Sequence, residues 1–103
     1  MVDVALRITK IPSAADASRK QLPFGELDNG ELVIRSRLSP DTALNEHLVW
    51  LWGLLQNERR YLKSLQAQGA EIYVHARVFS RPVEVKPNGA EMLHILGVTL
   101  VIS

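Results

Sequence analysis

Between Ser39 and Gly69, Leu44, Leu48, Leu51, Leu55, Leu62 and Leu65 recur along the chain. That spacing of fours and threes, with its multiples, lines up one side of an α-helix. No other feature restricts the fold as much, because an apolar stripe must be buried against a second layer. Ser39-Pro40 reads as a cap followed by proline at the first helical position, and Gly69 reads as the stop. The pattern predicts one helix of about 28 residues and about 42 Å. So long a helix is expected to overhang the sheet of a small domain, or to be covered by something beyond this chain.

The layer it packs on is written in alternations of period two. Val2, Val4, Leu6 and Ile8 alternate with Asp3, Ala5, Arg7 and Thr9; Leu32, Ile34 and Leu38 with Glu31, Arg35 and Arg37; Ile72, Val74, Ala76 and Val78 with Tyr73, His75, Arg77 and Phe79. Each run predicts a half-buried strand. Val83-Glu84-Val85 is expected to be a short strand, and Val98 to Ile102 the last one. Residues 13–20 are read as a weak helix capped by Ser13, and Pro23, Gly25 and Asp28-Asn29-Gly30 as loop and turn. Asn88 with Glu91 reads as a capping box opening a second helix, with Met92, Leu93, Ile95 and Leu96 inside and Gly97 as its end.

The expected architecture is α+β: one mixed, mostly antiparallel sheet of four or five strands, with a long and a short helix on one face. The chain of 103 residues is read as a single domain. A ferredoxin-like arrangement fits if the strands from 31 onward form the unit and the first strand is added at an edge. No apolar run approaches the roughly 18 residues of a membrane span. Twelve basic and 11 acidic residues leave no strong overall attraction for a polyanion, and the absence of cysteine fits a cytoplasmic setting.

Leu44-Asn45-Glu46-His47-Leu48, the leucines from Leu51 to Leu55, and Leu62 to Gly69 together resemble a bacterial family known as domain of unknown function 4279. The likeness continues through the Ile72–Val78 strand and Leu93-His94-Ile95-Leu96-Gly97-Val98, over roughly the last two-thirds of the chain. Val33 or Ile34 stands where members usually carry a tryptophan. The resemblance implies a compact α+β domain and brings no activity or catalytic residues with it.

Few residues point to chemistry. His47, His75 and His94 fall on three different elements, with no histidine pair at metal-ligand spacing, and neither a Gly-x-Ser-x-Gly elbow nor a phosphate-binding glycine loop appears. No catalytic residue, metal or cofactor is therefore assigned. Glu58 falls about 40° from the centre of the leucine stripe, where a carboxylate needs a partner or a function. Trp50 and Trp52 lie about 160° apart on the same helix, so they border the stripe on opposite sides, with Val49 further out. These three residues are candidates for a subunit interface, where tryptophan is enriched. Arg35, Arg37, Tyr73, His75 and Arg77, with Arg7 and Phe79, are expected on the outer sheet face as a candidate binding surface.

Three functions follow. The leading one is a non-catalytic interaction domain, acting as a homodimer or docking on another protein. The second is a single-stranded nucleic-acid binder using the basic and aromatic sheet face; near-zero charge and missing ribonucleoprotein signatures weigh against it. The third is an enzyme or small-ligand receptor with Glu58 in a cleft.

Overall fold

A computed structural model describes residues 2–11, 22–79 and 83–103. The chain runs β1 (Val2–Thr9), β2 (Gly25–Asp28), β3 (Glu31–Arg35), α1 (Leu44–Leu55), a 3₁₀ turn (Gln56–Glu58), α2 (Arg59–Ala67), β4 (Glu71–Val78), α3 (Pro87–Leu96) and β5 (Thr99–Ile102). The expected helix over 13–20 lies outside the described residues. The strands form a single sheet in the order β2-β3-β1-β4-β5. All neighbours are antiparallel except β4 and β5, which α3 connects as a parallel pair. The sheet is mixed and mostly antiparallel and packs its helices on one face, as the sequence predicts.

The first strand is not an edge addition. β1 pairs with β3 on one side (Leu6 opposite Ile34) and β4 on the other (Leu6 opposite Val74), and so occupies the middle of the sheet. The hydrophobic alternation explains why: the whole Val2–Ile8 inner set is buried, which a central strand permits and an edge strand rarely does. β3 and β4, both antiparallel to β1, enclose it as a split β–α–β crossover.

β2 escapes a reading from hydrophobic pattern because every residue of it is exposed or half-buried. Its signal is the turn instead. Asn29 and Gly30 both have positive φ (52° and 81°), the geometry of a two-residue hairpin loop, and Asp28 faces Glu31 across it. β3 ends at Arg35 rather than continuing to Leu38. The Val83–Val85 segment forms no strand: β4 already has β1 and β5 on its two edges, and these valines pack on the core from outside the sheet.

The long helix is corrected in two ways. It begins at Leu44, not Pro40, and Ala43 at its cap makes no side-chain hydrogen bond. Ser39 and Pro40 instead form a turn: Thr42 N–H donates to the Ser39 carbonyl, and the Pro40 carbonyl accepts Val2 N–H at 2.8 Å, tying the loop to β1. The helix is also interrupted. Glu58 leaves helical backbone values (φ −105°, ψ 11°) after the 3₁₀ turn that follows Leu55, and the Arg59 side chain caps the Gln56 carbonyl at 2.9 Å. All six leucines of the stripe are nevertheless buried, at 0–2% exposure, so nothing overhangs. They meet Leu6, Ile8, Ile34, Val74, Met92 and Leu96 in one core.

Both glycine stops are as expected. Gly69 (φ 103°) donates to the Gln66 carbonyl while Ala70 donates to Leu65; Gly97 (φ 65°) donates to His94 while Val98 donates to Leu93. This is one motif used twice. α3 starts at Pro87 rather than being capped by Asn88, whose Oδ1 accepts the Asn45 amide at 2.9 Å. Buried Asn45 also accepts the Lys86 N–H at 2.8 Å, so it holds α1 against the start of α3.

Two substitutions test this packing. Leu51→Ala or Leu55→Ala should each destabilise by about 2–5 kcal/mol in a urea melt, the range for truncating a fully buried leucine. A loss below about 0.5 kcal/mol would put the core elsewhere. Gly89→Ala should also destabilise, because its Cβ would collide with Asn45 Oδ1 and push that amide off Lys86.

Candidate functional site

The two faces of the sheet differ because the strands alternate. The helices cover the even-numbered side of β1 and β4, and the odd-numbered side faces away from them. On that outer face Ala5 lies between Arg35 of β3 and His75 of β4, Arg7 between Val33 and Tyr73, and Asp3 opposite Arg77. A side chain as small as alanine in mid-sheet leaves a depression among long neighbours. It encloses about 240 Å³ and is lined by Asp3, Ala5, Arg7, Arg35, His75 and Arg77.

Several of these groups are held by partners beside the depression. Arg7 Nη1 pairs with Glu31 at 3.2 Å, and Arg35 Nη2 reaches Asp28 at 3.7 Å. The Arg77 guanidinium sits 5.4 Å from the Phe79 ring centroid, and His75 Nε2 is 2.9 Å from Ser103 Oγ. The carboxylates that hold Arg7 and Arg35 belong to the β2–β3 hairpin and do not line the depression. Its own lining carries three guanidinium groups against the single carboxylate of Asp3.

The structure brings Arg35, His75 and Arg77 together, with Tyr73 half-buried on the same face beside them. Arg37 is separate. Because β3 stops at Arg35, Arg37 leaves the sheet, stacks 4.8 Å over the Phe24 ring and approaches Glu26 at 3.8 Å. Phe24 in turn stacks on Trp50, with centroids 6.1 Å apart. Trp50 and Trp52 both pack against the core as half-buried flanks, Trp52 with the Arg59 guanidinium 6.0 Å from its ring, while Val49 is 36% exposed. Glu58 is half-buried in the 3₁₀ turn and does not line the depression.

A second constellation was not legible from the sequence. Ser36 Oγ lies 2.6 Å from His47 Nδ1, across 11 residues. A hydroxyl at that distance from an imidazole resembles half of an activated nucleophile, but such a base needs a third group to orient it. His47 Nε2 is buried with no hydrogen-bond partner among the described residues. Ser36 Oγ also accepts the Leu38 N–H at 3.3 Å, which ends β3 in a turn. The pair pins the 36–43 loop to α1. His94 is exposed on α3. Among the described residues no group of three His, Cys, Asp or Glu is placed to hold a metal ion, and no helix is long and apolar enough to cross a membrane.

No family model, curated protein or solved structure matches this chain.

Burial holds the His47 imidazole below the usual histidine range, against weaker pulls from the Thr42 and Ser39 carbonyls and the Asp3 and Glu46 carboxylates. In the unfolded chain it titrates near 6.5, so below that pH the unfolded state binds more protons than the folded one. Folding stability contributed by neutral His47 should therefore be complete above pH ~6.5 and decline as pH falls towards the lower folded value. Urea midpoints between neutral and acid pH check this: His47→Gln should flatten that part of the profile. An unchanged profile would place the titration on another group.

Proposed function

We propose that the domain is a non-catalytic interaction module that works through the outer face of its sheet, with a second copy of the chain as partner. What carries this reading is the composition of that face, which the helix layer leaves uncovered. Carboxylates of the hairpin (Glu26, Asp28 and Glu31) stand on one side, and Arg77 with exposed Phe79 and Val101 on the other. A two-fold axis would set the hairpin side of one subunit, whose carboxylates are already paired with Arg7, Arg35 and Arg37, against the Arg77, Phe79 and Val101 side of its copy, since one self-complementary patch serves both. The helix flank has less to offer, because the two tryptophans already pack on their own core and leave Val49 as the exposed apolar residue of α1.

Nucleic acid is the weaker reading. Arg7, Arg35 and Arg37 each lie within 4.0 Å of a hairpin carboxylate, so a phosphate strand would have to compete with charges built into the same face. An active site around Glu58 has no cleft from the depression to support it. The resemblance to domain of unknown function 4279 is compatible with an interaction module and adds no chemistry to it.

Light scattering across a dilution series tests the proposal. The expected mass is about twice 11.5 kDa at the concentrated end, falling to 11.5 kDa on dilution. Arg77→Glu should hold the protein at the single-chain mass, and Val49→Glu should not. A mass of 11.5 kDa throughout, or a dimer broken by Val49→Glu alone, overturns it.

A further inference from the structure

We propose that the depression over Ala5 is a binding site for a small tetrahedral oxyanion of the phosphate type, free or at the end of a phosphomonoester. The inference stands apart from self-association, because it rests on the lining of the depression and not on the composition of the whole face. Arg7, Arg35 and Arg77 come from three adjacent strands and are placed around one small residue. A planar carboxylate is satisfied by a single guanidinium fork, whereas a tetrahedral anion offers oxygens to donors arriving from several sides. Each guanidinium has five N–H donors, and the ion pairs of Arg7 and Arg35 engage one nitrogen each. Those pairs also anchor the two side chains from outside the site, which reduces the ordering cost of binding. Asp3 is the opposing group: with three arginines facing it, the lining retains an excess of positive charge. The volume of about 240 Å³ exceeds what a bare phosphate needs, leaving room for the first atoms of an ester.

The test is a titration of the whole domain with inorganic phosphate replacing chloride at constant ionic strength, followed by amide chemical shifts. Saturable shifts are expected at Ala5, Arg35 and His75. Ala5→Val, which fills the floor and leaves every charge in place, should weaken binding about tenfold, and so should Arg35→Met. Arg60→Met, an exposed cation on α2, should leave it unchanged. A parallel titration with acetate should give the weaker response. Shifts that never saturate, equal binding by Ala5→Val, or an equal loss with Arg60→Met would each show general charge attraction and overturn the site. Tighter binding of acetate than phosphate would overturn its chemistry. The titration is made at a protein concentration where light scattering gives the single-chain mass, so self-association through the same face and anion binding can each fail while the other holds.

Discussion

Strand β1 is the constraint from which the rest follows. Its even-numbered residues, Val2 to Ile8, enter the core, and its odd-numbered residues form the middle of the outer face. A slip of one residue against β3 or β4 would exchange those sets and expose the core side of the sheet to water. Once β1 is fixed between its neighbours, α1 and α2 have one apolar surface to cover, and all six stripe leucines are spent on it. The same register sets Ala5 between Arg35 and His75, so the packing that closes one face also shapes the depression in the other.

What was legible in the sequence is what repeats. The leucine spacing, the alternations of β1 and β4, and the glycines that end α2 and α3 each express a periodic or backbone requirement, and each is found where the residues place it. Less was legible where one tertiary contact decides. Ser39-Pro40 has the local chemistry of a helix start, yet the Pro40 carbonyl is taken by Val2 N–H and the helix begins four residues later. β2 has no hydrophobic rhythm because neither of its faces is covered, although Asn29-Gly30 announces its turn. Asn45 is the residue most easily overlooked: a polar side chain near the helix start that joins α1 to the backbone of Lys86 and to Asn88.

The candidate surface was legible as a set of residues, and its electrostatics were not. Alternation puts Arg35, His75 and Arg77 on one face. It says nothing of the hairpin that returns Asp28 and Glu31 to pair with Arg35 and Arg7, turning a cationic strip into one of mixed sign. It also misplaces Arg37, because β3 ends where Ser36 meets His47. Neutralised at its edge and cationic at its centre, the face has the mixed sign from which both proposals are argued.

The central claim is that the working surface is the outer sheet face and not the helix layer. Amide chemical shifts of the unmodified domain, followed across a protein concentration series, test it most directly. Concentration-dependent shifts should map to the outer face, around Ala5, Arg35, His75 and Arg77, while α1 and α2 stay still. Shifts confined to α1 around Val49 and Gly53, with the sheet unmoved, would contradict it.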